Sequence, residues 1–152
     1  MSHYVTVELK MQGEPEAIVR ALCEMESRAH GRCFRRDEIE VHAERQPVRG
    51  FEDSVRPQHA HIIIRRQHVG GASNDLGLER KADGSWTMHV SDFDRGLQND
   101  RHYGEAWQKR LLSKWAVQKV GLEAERRGYQ WNVQYQNDET TGKKYAYVSV
   151  TR

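Results

Sequence analysis

Eight histidines stand in this chain of 152 residues. Imidazole is the side chain that serves both proton transfer and metal ligation near neutral pH. His59 and His61 lie two apart in the run His59-Ala60-His61-Ile62-Ile63-Ile64-Arg65. Alternation in that run predicts a strand, so both rings point to one face. Two imidazoles on one face can begin a zinc site, which needs a third or fourth ligand. His3, His42 and His89 fall in or near other predicted strands and are the donors within reach of a pairing. No ligand-spacing motif accompanies them, and a polar sheet face with solvated histidines is the simpler reading. Cys23 and Cys33 are ten apart. A thiol nucleophile needs a histidine within hydrogen-bond reach, and Cys23, inside a predicted helix, reads as a small packing residue. Gly70-Gly71 has neither the lysine nor the helix context of a phosphate cradle. Asp92, Asp94, Asn99 and Asp100 share a polar loop without calcium-loop spacing. No catalytic constellation emerges, no cofactor is implied, and the reading leans away from an enzyme.

Binding chemistry is better represented. Basic pairs occur at Arg35-Arg36, Arg65-Arg66, Lys109-Arg110, Arg126-Arg127 and Lys143-Lys144. Tyr145 and Tyr147 alternate against Ala146 and Val148, which puts them on one strand face. Arg65, Lys143, Lys144, Tyr145 and Tyr147 are therefore the candidate surface. Stacking aromatics beside cations suit single-stranded nucleic acid, and tyrosine and arginine equally serve protein interfaces. The balance of 24 basic against 22 acidic residues gives a net charge of +2. The pI of 8.6 lies below the range that itself signals nucleic acid. A protein partner ranks first on these grounds, nucleic acid second, and a metal-dependent enzyme using the histidines third.

These residues must be held by elements that the hydrophobic pattern outlines. Val5, Val7, Leu9 and Met11 alternate in a first strand from Tyr4. Pro15 opens a helix to about Ser27, with Ile18, Val19, Leu22 and Met25 at helical spacing. His30 to Asp37 reads as a polar connection. Glu38 to Ala43 alternates with Ile39 and Val41 inward, and Pro47 marks a loop or an edge strand. The strand around Ile62 presents Ala60, Ile62 and Ile64 to one face, and residues 68–75 read as a flexible link. Asp83-Gly84 joins two strands as a hairpin whose Leu76, Leu78, Trp86, Met88 and Val90 face the core. After a charged loop over residues 91–102, a helix from Tyr103 to Arg127 places Trp107, Leu111, Trp115 and Leu122 in one sector, flanked by Leu112. Two last strands carry Trp131, Val133, Tyr135 and Ala146, Val148, Val150.

The order predicts an α+β fold: an antiparallel sheet of about five to seven strands with two helices packed on one face. A ferredoxin-like arrangement is one way to join them. The length suits one domain spanning residues 1–152. A hydrophobic share of 37% and a mean hydropathy of −0.91 describe a polar surface over a periodic core. No run of about 18 apolar residues that would span a membrane is present, and no signal-peptide core is visible in Met1-Ser2-His3-Tyr4-Val5-Thr6. Two cysteines are too few for a disulfide scaffold. These features place the chain in the cytoplasm, or in a plastid stroma, without a membrane partner.

Five segments stand in a familiar order: Met1-Ser2-His3-Tyr4, Pro47-Val48-Arg49-Gly50-Phe51, the run Ala60 to Arg65 followed by Leu76-Gly77-Leu78, Ala82-Asp83-Gly84-Ser85-Trp86, and Lys119 to Tyr129. Together they resemble the hypothetical chloroplast reading frame thirty-five family across nearly the whole chain. That family is a domain of unknown function found in cyanobacteria, plastids, other bacteria and some viruses. The pattern departs at Ser91-Asp92-Phe93-Asp94-Arg95-Gly96, where an Asp-Trp-Trp-Gly-like segment is expected. The resemblance implies an intact small domain and no reaction. Relatives are often encoded near AAA-type ATPases, which implies an accessory role beside such a partner.

Overall fold

The computed structural model describes residues 3–96 and 102–152. Along the chain run β1 (Tyr4–Gln12), α1 (Glu16–Leu22), β2 (Glu26–Ser27), β3 (Arg32–Cys33), β4 (Glu40–Arg49), β5 (Val55–Ile64) and α2 (Arg66–Val69). There follow β6 (Leu76–Arg80), β7 (Ser85–Ser91), α3 (Asp92–Arg95), α4 (Glu105–Arg126), β8 (Gln130–Asn137) and β9 (Lys144–Thr151). Five strands form an antiparallel sheet in the order β1-β7-β6-β5-β4, while β2-β3 and β8-β9 form separate pairs. The α+β expectation holds. The ferredoxin-like arrangement does not, because it returns the strand after each of its two helices to one sheet, whereas β8, which follows α4, pairs with β9 outside the five-stranded sheet.

One sheet face is the core. Ile62, Ile64, Leu76, Leu78, Trp86, Met88 and Val90 meet Ile18 and Leu22 of α1 and Trp107, Leu111 and Trp115 of α4. Gly84 has φ +86°, which a tight hairpin turn requires and glycine supplies without strain. Trp86 Nε1–H, buried in this core, donates to the Gly13 carbonyl at 2.9 Å.

The opposite face carries a second, smaller cluster of Val48, Ala60 and Ile63, with Tyr4 against it. The β4–β5 register shifts between Val41 and Gln46 and again between Pro47 and Arg49. Such bulges bend a strand pair, and the far half of this hairpin folds back over the sheet. Tyr4 O–H reaches the Asp75 carbonyl at 2.6 Å, and Asp75 N–H donates to the Arg49 carbonyl at 2.8 Å. Gly77 makes room for the fold: a Cβ there would lie 2.8 Å from Ala60 Cβ and 2.9 Å from Val48 Cγ1. Ala60 therefore belongs to this second cluster, apart from Ile62 and Ile64, because the bend rotates the strand between them.

Several expected boundaries move. The first helix ends at Leu22, five residues early, where Glu24 and Met25 N–H groups bond back to Ala21 and Leu22 carbonyls in a tighter turn that drops Met25 into the core. The connection after it holds buried Phe34, β3 and a 3-10 turn over Arg36–Glu38. Residues 68–75 are not a loose link. Ser73, Asn74 and Asp75 are buried, and Asp75 takes the Arg49 and Arg66 backbone N–H groups at 2.8 Å each. Asn99 and Asp100 lie outside the described residues.

Candidate functional site

The structure separates the candidates that spacing had grouped. His59 Nδ1–H donates to the Pro57 carbonyl at 2.9 Å. His61 Nδ1 accepts the Arg80 backbone N–H at 3.0 Å and meets Trp86 edge-on. Burial pushes the His61 imidazole below its usual pKa. Both rings border an open groove with Arg45, Glu79, Arg80 and Lys81. Arg65 is held by carboxylates, with Nε and Nη2 on Glu40 at 2.7 and 2.9 Å and Nη1 on Asp75 at 2.8 Å. His42 also bonds Glu40, at 2.8 Å. Buried His89 completes a cross-strand row, 2.9 Å from Thr6 Oγ1 on one side and 2.9 Å from Glu79 on the other. Arg45 fixes the far oxygen of that glutamate at 2.7 Å.

Tyr145 and Tyr147 sit in β9, opposite Gln136 and Gln134. Alternation puts these two pairs on the hairpin face turned away from α4, together with Gln130, Asn132, Ser149 and Thr151. Lys144, opposite Asn137, falls on the other face, and Lys143 is in the turn. The other face meets α4. A Cβ on Gly121 would lie 2.2 Å from the Trp131 ring, and Lys114 Nζ stands 4.6 Å over the Tyr135 ring.

A second constellation comes from the connections. His30 Nε2, Glu38 Oε2 and His68 Nδ1 converge, at 2.9 Å between the two nitrogens and 3.2 and 3.1 Å from each to the oxygen. Arg32 clamps the Glu38 carboxylate with Nη1 on Oε1 at 2.8 Å and Nη2 on Oε2 at 3.0 Å, and the Arg35 backbone N–H donates to Oε1 at 2.8 Å. The Arg32 guanidinium holds this carboxyl down at a pKa of about 2. Among the described residues this is the set of His, Cys, Asp or Glu side chains close enough to share one ion.

Two buried hydroxyls position the set. Ser27 Oγ–H donates to the His68 carbonyl at 2.6 Å and accepts the His30 N–H at 3.3 Å. Tyr103 O–H donates to the Val69 carbonyl at 2.6 Å and accepts the Arg28 N–H at 3.0 Å. Sequence spacing pointed to His59 and His61 because strand alternation is readable. His30 and His68 lie on segments that read as connections and Glu38 at the start of one that reads as a strand, and only the folded chain brings the three together. The departing segment at residues 91–96 has a structural use as well. Asp94, buried as α3 begins, accepts from Ser91 Oγ at 2.7 Å and from the Asn74 N–H at 2.9 Å.

An antiparallel sheet covered on one face by two helices, with a separate C-terminal hairpin, defines an α+β domain. Over residues 34–145 the chain belongs to the family described as "Protein of unknown function (DUF1257)". No curated protein and no solved structure matches it. Among the described residues, no helix is long and apolar enough to cross a membrane.

Proposed function

We propose that the chain is an accessory, protein-binding domain whose docking element is the β8–β9 hairpin. One observation carries this reading. The outward face of the hairpin holds Gln130, Asn132, Gln134, Gln136, Tyr145, Tyr147, Ser149 and Thr151, with no charged side chain. Charged residues make up 30% of the chain, so eight neutral positions together are a marked local depletion. Protein interfaces are depleted in charge at their centres and enriched in tyrosine. Tyr145 and Tyr147 are 43% and 53% exposed, so their rings are available. Among the described residues the pair is also a sheet of two strands, which leaves an unpaired edge on each strand for a partner's extended segment.

The same face argues against nucleic acid, since a phosphate backbone would find no cation there. The occupant is a protein surface of neutral polar and aromatic character. The family resemblance makes an AAA-type ATPase the first candidate.

The test uses the full chain and its Tyr145→Ala/Tyr147→Ala double variant as matched baits, with a purified AAA-type ATPase encoded beside a relative as prey. Binding by the wild type that weakens at least tenfold in the variant supports the reading. Equal binding by both baits overturns it, as does binding only to single-stranded oligonucleotides with a steep salt dependence.

A further inference from the structure

We propose that His30 Nε2, Glu38 Oε2 and His68 Nδ1 form a site for one divalent first-row transition cation. The three atoms form a nearly equilateral triangle with edges of 2.9, 3.1 and 3.2 Å. Protons alone cannot satisfy it. The ionised carboxylate oxygen only accepts, and each ring nitrogen either donates or accepts. If both nitrogens carry hydrogen, both donate to Glu38, and two N–H groups then face each other across 2.9 Å. If one nitrogen is bare, its lone pair faces the lone pair of the carboxylate oxygen. Every protonation pattern leaves one edge repulsive. A cation at the common focus accepts a lone pair from all three atoms and removes the conflict.

The dimensions also select the geometry. A cation about 2.1 Å from each atom would see its ligands at about 90–100° to one another, nearer one face of an octahedron than a tetrahedron. Two imidazoles and one carboxylate on one face are donors suited to iron, zinc, nickel or copper. Calcium and magnesium prefer all-oxygen shells. Among the described residues Glu38 Oε2 accepts one hydrogen bond outside the triangle, from Arg32, and so keeps a lone pair for the ion. Arg32 and the Arg35 N–H orient the carboxylate from behind, as outer partners do at built metal sites. Ser27 and Tyr103 hold the two histidine-bearing segments together through the backbone, so the triangle is preorganised. The Glu38 side chain is only 8% exposed, while those of His30 and His68 are 30% and 26% exposed. The site is therefore closed on the carboxylate side and open on the imidazole side, where the remaining coordination positions face water.

Cobalt(II) is the probe, added to the chelator-stripped, tag-free full chain and followed by its visible absorption and by calorimetry. The expected result is one bound equivalent in the wild type. Affinity should fall by more than about tenfold in His30→Ala and in His68→Ala, and stay at the wild-type value in the His59→Ala/His61→Ala control. His30→Gln and His68→Gln preserve size and polarity, and they replace the alanine variants should circular dichroism show loss of fold. Absence of saturable uptake by the wild type overturns the proposal, and so does wild-type affinity in folded His30 and His68 variants. The outcome is independent of the hairpin's docking role, because no hairpin residue enters the triangle.

Discussion

A single hydrogen atom in place of a side chain lets the β4–β5 hairpin close over the sheet. With Gly77 changed to alanine, the new Cβ would overlap Ala60 Cβ and Val48 Cγ1, which are short groups fixed by their own backbones and unable to swing aside. Overpacking of this kind costs about 1–3 kcal/mol. Gly77→Ala is expected to lower the urea midpoint with an unchanged slope, and a midpoint equal to the wild type's would remove the close approach. The strand containing Gly77 was legible from Leu76, Leu78 and the turn beyond. The demand for glycine was not, because it comes from residues 17 and 29 positions away in sequence. The histidines divide in the same way. His59 and His61 announce a shared face through local alternation, whereas His30 and His68 meet only when a turn and a short helix are stapled by Ser27 and Tyr103.

Among the elements, α4 was the most readable. Its apolar spacing named Trp107, Leu111 and Trp115, all buried, and Leu112 and Leu122, both packed against the core. Replacing Trp115, 8% exposed, by alanine is expected to cost about 3–5 kcal/mol in urea unfolding. A near-neutral result would place that ring outside the core. The first helix was read too long because Met25 continues the helical spacing, yet it reaches the same core from a turn. At seven residues, α1 draws its stability from its buried side, Ile18, Val19 and Leu22, since so short a helix is marginal alone. The last hairpin was legible as two alternating strands, but alternation does not say which sheet a pair joins. Its inner row docks on α4, and its ladder stays apart from the larger sheet.

Across the whole molecule, a chain of exposed ion pairs joins parts distant in sequence. Arg36 grips Glu16 at 2.9 and 2.7 Å, Glu16 meets Arg20 at 3.3 Å, and Arg20 bonds Glu125 of α4. Glu125 in turn accepts from Trp131 Nε1–H at 3.3 Å. Hydrogen bonding to Arg36, with a further contribution from Arg20, holds the Glu16 carboxyl below its ordinary 4.5. The folded pKa is thus the lower one. The pairing stabilises fully above the unfolded carboxyl value and is lost as pH falls through the folded one. Between about pH 7 and pH 3 the wild type should lose more stability than Glu16→Gln, and high salt should shrink the gap because these groups are exposed. Equal losses in both proteins would remove Glu16 from the acid response. The links from Arg36 to Glu16 and from Arg20 to Glu125 were not visible in the sequence, because they join residues 20 and 105 positions apart.

The lone hairpin has one more consequence. Among the described residues its amides are protected by each other and by one row of contacts on α4, so opening it exposes little of the main core. Its local opening free energy can lie well below that of global unfolding. The expected outcome in hydrogen exchange is two units of unequal protection, the weaker one carrying Tyr145 and Tyr147. A partner that captures those rings would raise the protection of this unit and leave the five-stranded sheet as it was.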